Sequence, residues 1–212
     1  MLTKIILGLL WLCFGLYAFL LAPPDQPDTI NLIINLSTGK WQDINPLIIA
    51  IFNLMGVWPL IYTSLLIIDG RDQKIIAWPF AFASFAVGAF AILPYLTLRQ
   101  PNSNFTGKKN LVIKLLDSPW LGVIALITAA ILIAYGLING NWSDFWYQWH
   151  TSRFIHVMSL DFCLLTLLCP ILLQDDLTRR GLKNPFLLPV ISLLPLIGPA
   201  IYLIIRPRLG EN

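Results

Sequence analysis

The sequence predicts an all-α integral membrane protein with about six transmembrane helices, and two observations lead to this prediction. The 212 residues are 57% hydrophobic and only 12% charged, whereas soluble domains carry about 25% charged residues. The mean hydropathy is +0.74, and the apolar residues are grouped in six long runs. Because there is too little polar material to cover a water-facing surface, we expect the surrounding solvent to be a lipid bilayer.

Each apolar run is long enough to form a membrane-spanning helix. A helix needs about 20 residues to cross a hydrocarbon core of about 30 Å, and its backbone must be hydrogen-bonded internally because the core holds no water. The spans and their short connections use nearly the whole chain, which leaves no soluble domain. The runs cover residues 5–22, 47–68, 75–98, 120–138, 154–173 and 186–205.

Two short motifs occur twice in the same order, which predicts an internal repeat. The segment 39–43 (GKWQD) recurs as 140–144 (GNWSD), and the segment 95–99 (YLTLR) recurs as 202–206 (YLIIR). We therefore predict two copies of a three-span unit, and chance pairing among common membrane residues is the alternative. A unit with an odd number of spans ends on the side opposite to its start. The second copy is thus expected to be inverted relative to the first.

The inverted layout assigns residues 1–103 to the first unit and residues 104–212 to the second. It also sorts the basic residues onto two faces, and the positive-inside rule favours the face with more of them as cytoplasmic. Lys4, beside the first span, argues for the other orientation, so the sequence leaves the orientation open. One group is Lys4, Arg71, Lys74, Arg206 and Arg208, and the larger one is Lys40, Arg99, Lys108, Lys109, Lys114, Arg179, Arg180 and Lys183.

Ionisable side chains inside a membrane span are costly, so they are candidates for function. Arg153, His156 and Asp161 all lie in the fifth predicted span. A buried carboxyl such as Asp161 is expected to stay protonated or to find a partner on another helix, and Asn53 in the second span is a candidate partner. Three roles stay open for Asp161: a hydrogen bond that fixes helix packing, a substrate or proton site, or contact with a partner protein.

The other candidate residues also have a structural alternative. His156 is either a hydrogen-bonded histidine at a helix end or a ligand of chlorophyll magnesium or haem iron, although one histidine cannot supply the paired axial ligands of a typical b-type haem. Arg153 is expected to extend towards the interface. No cysteine–histidine spacing indicates a zinc site, and enzyme motifs such as GxSxG and HExxH are missing from the sequence. No basic run suits a nucleic acid. These features favour a protein that is not an enzyme, holds no metal and binds no nucleic acid.

Three segments of the second and third spans carry a resemblance to a known family. They are 52–59 (FNLMGVWP), 77–80 (AWPF) and 88–95 (GAFAILPY). With their Trp-Pro pairs they resemble a little-characterised family of multi-span membrane proteins in cyanobacteria and plant plastids, and the remainder of the chain resembles it loosely. The resemblance implies a thylakoid or plasma membrane of a cyanobacterium, or a plastid membrane. It assigns no catalytic or binding residue.

Three functional hypotheses follow. The leading one is a non-enzymatic accessory or assembly factor for a photosynthetic membrane complex, with subunits of that complex as partners and chlorophyll or carotenoid as candidate ligands. The second is a small-solute carrier with a site around Asp161 at the interface between the repeats. The third is an enzyme that modifies a pigment or isoprenoid with His156 and Asp161 as an acid–base pair. Their spacing puts the two side chains about 140° apart on an ideal helix, which counts against the third hypothesis.

Overall fold

A computed structural model describes residues 1–71, 73–102, 104–105 and 108–210. Within these ranges the chain is helical and contains no strand, so the prediction of an all-α fold is confirmed. The last turn of the first helix is a π-helical segment, Tyr17–Leu21. The helices are α1 Leu2–Leu16, α2 Thr29–Thr38, α3 Pro46–Asp69, α4 Trp78–Val87, α5 Ala89–Leu98, α6 Leu111–Leu116, α7 Pro119–Asn139, α8 Trp142–Thr151, α9 Arg153–Arg179, α10 Leu187–Leu193 and α11 Ile197–Ile205.

Four helices in the described part of the chain are long and apolar enough to cross a membrane. They are α1 with its π-helical end, α3, α7 and α9, and they contain 20, 24, 21 and 27 residues. Helix α3 lies at the centre of the bundle and contacts α7 and α9 along its length. In contrast, α1 and α7 expose most of their apolar side chains. An apolar outer surface of this kind is compatible with contact with a bilayer.

Local sequence signals fix where the central helices begin. The side chain of Asn45 accepts a hydrogen bond from the N–H of Leu47 at 3.0 Å, and Pro46 occupies the first turn of α3. Ser118 caps α7 in the same way, with Pro119 in its first turn. Proline suits this position because the first N–H groups of a helix have no partner within the helix.

The third predicted span, 75–98, is a hairpin of two short helices. Gly88 separates α4 from α5 with a φ of +50°, a conformation that favours glycine. The rings of Phe80, near the start of α4, and Tyr95, near the end of α5, lie 5.6 Å apart. Helix α5 therefore folds back along α4, and the segment returns to the face from which it came.

The sixth predicted span, 186–205, has the same construction. Helix α10 ends at Leu193, Leu196 has a φ of +62°, and α11 begins at Ile197. The backbone of Gly198 lies so close to the carbonyl group of Ile191 that a Cβ on Gly198 would collide with it. In the residues that the structure describes there are thus four helices of spanning length and two hairpins, where the sequence predicted six spans.

Helices α3 and α9 run in the same direction through the bundle. Midway along them the hydroxyl group of Tyr62 donates a hydrogen bond to the carbonyl oxygen of Leu165 at 2.6 Å. Where both helices end, Arg179 lies 3.3 Å from Asp69. This arrangement differs from the predicted inversion. Each hairpin returns to its own face, so each half has two helices of spanning length and both halves start at the same face. Ser103, at the predicted boundary between units, lies outside the described residues.

The two faces of the bundle differ strongly in charge. We name the face where α3 and α9 end the charged face, and the face where they begin the cavity face. Of the chain's 14 lysines and arginines, only Lys40 and Arg153 lie on the cavity face. The sequence prediction divided the basic residues between two faces. In the structure the two hairpins place nearly all of the basic residues on the charged face.

Candidate functional site

A cavity of about 470 Å³ lies on the cavity-face side of the bundle. It is bounded by the π-helical end of α1, by α3 and α9, and by the turn of the α4–α5 hairpin. Three of the four site residues predicted from the sequence, Asp161, Arg153 and Asn53, line it, and His156 does not. The lining residues are Ala18, Phe19, Asp25, Thr29, Phe52, Asn53, Met55, Gly56, Ser84, Phe85, Ala86, Val87, Gly88, Phe90, Arg153, Phe154, Val157, Met158 and Asp161.

Asp161 forms the deep end of this cavity. Its side chain is only 4% exposed, and Oδ1 accepts a hydrogen bond from the backbone N–H of Ala89 at 2.9 Å. Ala89 is the first residue of α5, so the carboxyl group caps a helix whose positive dipole end points into the bundle. Within the described residues Oδ2 has no hydrogen-bond partner. That oxygen is therefore available to a molecule in the cavity.

Gly88 is the reason that the carboxyl group of Asp161 fits beside the hairpin turn. A Cβ on Gly88 would collide with Oδ2 of Asp161. The positive φ of Gly88 ends α4, and the missing side chain lets α9 approach the backbone at the turn. This glycine is not among the site residues predicted from the sequence. A glycine in the middle of an otherwise apolar run is the sequence feature that indicates a break there.

Arg153 marks the mouth of the cavity. It is the first residue of α9, and its Nε donates a hydrogen bond to the carbonyl oxygen of Pro23 at 3.1 Å. Its backbone N–H donates to the carbonyl oxygen of Pro24 at 3.2 Å. Both contacts hold the segment that carries Asp25 against α9. Arg153 and Asp161 are separated by eight residues of helix, which corresponds to a depth of about 12 Å.

Asn53 lies on the wall of the cavity and does not reach Asp161. Its amide group donates a hydrogen bond to the carbonyl oxygen of Ile49, one turn earlier in α3, at 2.8 Å. The interhelical partner of Asp161 is therefore the backbone N–H of Ala89 in α5, and not Asn53, the candidate from the sequence. A backbone N–H has no residue-type signature, so the sequence offered no signal for this pairing.

His156 is held by two hydrogen bonds beside the cavity. Its Nδ1 lies 2.9 Å from the carbonyl oxygen of Trp149, and its Nε2 lies 2.7 Å from the hydroxyl group of Tyr17. A carbonyl oxygen only accepts, so Nδ1 carries the proton and Nε2 accepts from Tyr17. Both ring nitrogens are occupied, which leaves none for a pigment or haem metal in this conformation. Asp161 bonds to Ala89 instead, so the structure does not pair it with His156.

The cavity also opens sideways, towards the apolar outer surface of the bundle. Its rim between the end of α1 and the tip of α4 carries Phe19, Phe85 and Val87, which are 72%, 50% and 49% exposed. Phe52 and Phe154 form the opposite wall, with ring centroids 6.3 Å apart. Apolar walls with a few polar groups at fixed positions are typical of sites for small organic molecules.

Comparison of the chain with protein-family models, with curated proteins and with solved structures gives no match. Function is therefore inferred from the cavity and the charged face themselves.

The charged face is closed by two buried clusters of the same design. In the first, Asp69 at the end of α3 accepts hydrogen bonds from the hydroxyl group of Tyr95 and from Arg99, both at 2.7 Å. In the second, Asp176 in α9 accepts from Tyr202 at 2.8 Å and from Arg206 at 3.0 Å. In each cluster the tyrosine and the arginine follow the aspartate by 26 and 30 residues. Each cluster fastens one hairpin to the spanning helix that precedes it.

Ion pairs also connect the two clusters. Arg99 lies 2.7 Å from Asp175, and Arg179 lies 3.3 Å from Asp69 and 3.0 Å from Asp176. The side chains of Asp69, Asp176 and Arg179 are almost fully buried. The equal spacing of aspartate, tyrosine and arginine in the two halves is the sequence feature that identifies the two clusters.

Arg180 extends this network to the segment before α7. It pairs with Asp117 at 2.7 Å and with Asp176 at 2.8 Å. Burial acts to lower the pKa of Arg180, but the two carboxylates outweigh burial and raise its pKa above the ordinary value. The guanidinium group therefore stays charged at physiological pH and holds α7, α9 and the chain after α11 together.

Proposed function

We propose that this chain is a membrane protein that binds a small, mainly apolar molecule in the Asp161 cavity and acts as its carrier. The observation behind the proposal is a buried carboxyl group at the break of a half-helix hairpin, at the deep end of a cavity of about 470 Å³. Many carriers place their substrate site near the middle of the bilayer, where interrupted helices expose polar ends. The cavity has the size and the apolar walls of a site for a small organic ligand.

The cavity can be reached from one face of the bundle and not from the other, and this supports the carrier function. The cavity opens at the cavity face and sideways to lipid, whereas buried ion pairs close the charged face. A carrier with this structure needs a second conformation in which Arg99 separates from Asp175 and Arg179 separates from Asp69. The two hairpins and the ends of α3 and α9 are the elements that would move.

We infer further that the chain contains two copies of one unit in parallel orientation. Each half has a spanning helix, a short helix at the cavity face, a second spanning helix and a hairpin, in that order, and the short helix α6 precedes this series in the second half. The identical spacing of aspartate, tyrosine and arginine in the two clusters supports a duplication. On this proposal the cavity lies where α9 of the second copy meets the first copy, which corresponds to the predicted site between repeats.

The accessory role in a photosynthetic complex stays a prediction from the sequence resemblance, as do its chlorophyll or carotenoid ligands and its thylakoid location. Co-purification of the tagged protein with pigment or complex subunits tests that role. The four long apolar helices support integral membrane localisation.

Binding in the cavity is tested by filling it. Gly56 lines the cavity, and a Cβ at this position meets no atom within 4 Å, so Gly56→Trp places an indole ring in the space. Gly15→Trp is the matched control, because Gly15 is equally open and lies outside the cavity. With 4-phenylbutanol as an apolar probe, calorimetry in mild detergent is expected to show binding to the wild type and to Gly15→Trp but not to Gly56→Trp. Equal binding by all three proteins, or no binding by the wild type, contradicts the proposal.

Carrier function makes a separate prediction for hydrogen exchange. Adding 4-phenylbutanol is expected to slow backbone exchange in residues 22–28 at the cavity mouth. It is also expected to speed exchange in the charged-face segments 73–77 and 180–186, because a ligand that shifts the conformational equilibrium opens the opposite face. If exchange at the charged face stays unchanged while 22–28 is protected, the chain binds the probe and is not a carrier.

A further inference from the structure

We propose that the natural ligand of the Asp161 cavity is an amphipathic organic cation, with its charged nitrogen at Oδ2 of Asp161 and its apolar body along the phenylalanine walls. This inference rests on the proposed function and names the chemical class of the ligand. It follows from the charges that line the cavity, from the hydrogen bonds that are already made, and from the route by which a ligand reaches the site.

With Asp161 ionised, which a cation beside it favours, the charged side chains of the cavity leave its deep end negative. Asp25, Arg153 and Asp161 are the charged residues that line it. Asp25 and Arg153 both lie at the mouth, where water screens them and where their opposite charges compensate each other. Asp161 lies about 12 Å deeper along α9. No basic side chain lines the cavity beside it.

The neutral polar side chains that line the cavity with Asp161 have other partners, and so does Tyr62 on α3. Tyr62 donates its hydroxyl hydrogen to the carbonyl oxygen of Leu165, Ser84 donates to the carbonyl oxygen of Ala81, and Asn53 donates to Ile49. The N–H of Ala89 binds Oδ1. In the described part of the chain no side chain donates to Oδ2, so the missing partner is a donor that the ligand brings.

A cation completes this site better than a neutral or an anionic ligand. A hydrogen bond between an ammonium group and a carboxylate is stronger than one between neutral groups, and it gains further where water is excluded. An anion would face the carboxylate of Asp161 without a compensating charge. The positive end of α5 does not attract an anion to this point either, because Asp161 already caps it.

The walls and the sideways opening suit an apolar body on the cation. Phe52 and Phe154 line the cavity between its mouth and Asp161 on α3 and α9, and Phe154 lies about 10 Å before Asp161 along α9. Their rings are therefore placed to contact the apolar body of the ligand. The exposed rim of Phe19, Phe85 and Val87 joins the cavity to the lipid-covered surface. A strongly hydrated inorganic cation would not use this route, whereas an amphipathic amine dissolved in the bilayer would.

Three probes with one apolar body and three head groups test the proposal. They are 4-phenylbutylamine, 4-phenylbutanol and 4-phenylbutyrate, which at pH 7 are cationic, neutral and anionic. Calorimetry with the full chain in mild detergent is expected to give a dissociation constant at least about tenfold lower for the amine than for the alcohol. The anion is expected to bind weakest.

Two variants connect that preference to Asp161. Asp161→Asn removes the charge, while its amide oxygen still accepts from Ala89. This variant is expected to bind the amine and the alcohol with equal affinity. Asp28→Asn is the control, since Asp28 is an exposed carboxylate at the same face and outside the cavity. Asn53→Asp adds a carboxylate to the wall and is expected to increase the preference for the amine, which keeps the test valid if Asp161→Asn fails to fold.

The outcomes separate this inference from the proposed function. Equal binding of amine and alcohol to the wild type overturns the cation proposal and leaves a site for apolar molecules. Preference for the anion overturns it too and assigns recognition to Arg153. Binding of neither the alcohol nor the amine removes the proposed function itself. An amine preference that Asp161→Asn abolishes and Asp28→Asn retains supports both.

Discussion

At the scale of single residues, the contact between Gly88 and Asp161 joins fold and function. Gly88 turns the chain between two half-helices, and its missing side chain admits the carboxyl group that caps the second of them. The same carboxyl group forms the end of the cavity. A change at Gly88 is therefore expected to affect both the stability of the hairpin and the binding site.

Gly88→Ala is expected to destabilise the protein by more than a strained φ alone does. A non-glycine residue at this φ costs about 1–3 kcal/mol, and the added methyl group must also displace Asp161 from α5. Gly181→Ala is the matched control, because Gly181 has a φ of +70° and no atom within 4 Å of its Cβ position. Unfolding in detergent, followed by circular dichroism, measures the difference in midpoint temperature. Equal losses in the two variants would show that the collision with Asp161 has no cost.

At the same scale, the site residues could be predicted from the sequence but their hydrogen-bond partners could not. Ionisable groups in apolar runs are costly, which makes Arg153, His156 and Asp161 candidates, and Asn53 is a candidate as a partner for Asp161. Of these, Asp161, Arg153 and Asn53 line the cavity. Their partners were not predictable, because Asp161 and Asn53 bond to backbone groups and Arg153 bonds to two carbonyl oxygens. Backbone groups are present at every position and leave no mark in the sequence.

At the scale of elements, the two hairpins account for most of the difference between the predicted and the observed fold. The runs 75–98 and 186–205 have the length and the hydropathy of spans, and two half-helices that pack against each other have the same composition as one long helix. Hydropathy therefore cannot distinguish them. The distinguishing feature is long-range, because Arg99 and Arg206 each pair with an aspartate 30 residues earlier.

The clusters at the hairpin ends are expected to differ in what they contribute to stability. Asp176 accepts from Arg179, Arg180 and Arg206 and is fully buried, whereas the neighbouring Asp175 makes one ion pair and is 17% exposed. Asp176→Ala leaves several buried guanidinium groups without their shared partner and is expected to cost about 3–5 kcal/mol. Asp175→Ala is the control, because Arg99 keeps Asp69 as its partner, and it is expected to cost about 1–2 kcal/mol.

Urea titration of the detergent-solubilised variants measures this comparison, with helix content as the signal. A loss for Asp176→Ala no greater than that for Asp175→Ala would mean that the buried arginines find other partners. In that case the network would not be what fastens the second hairpin.

At the scale of the whole molecule, the charge asymmetry predicts the orientation in the membrane. All lysines and arginines except Lys40 and Arg153 lie on the charged face. Because basic loops are retained on the cytoplasmic side, we expect the charged face to be cytoplasmic and the cavity to open on the other side. The sequence alone gave conflicting signals here, since six crossings would place the loop after α3 and the loop after α9 on opposite faces.

Fusions to green fluorescent protein in a bacterial host measure the orientation. This reporter fluoresces when it stays in the cytoplasm and is dark when it is exported in the unfolded state. A fusion after residue 210, at the charged face, is expected to fluoresce. A fusion after residue 40, between α2 and α3, is expected to be dark and is the internal control. The reverse pattern would place the charged face outside and the cavity mouth in the cytoplasm.

The sideways opening between Phe19 and Phe85 has a consequence for how occupancy of the site is set. A molecule that arrives through this gap comes from the hydrocarbon phase, so its relevant concentration is its mole fraction in the membrane. Dilution of the bilayer with extra lipid would then lower occupancy even at a constant total amount of solute and protein. Two solutes with equal contacts in the cavity would differ in occupancy according to their partition coefficients. The more hydrophobic of them would fill the cavity at the lower total concentration.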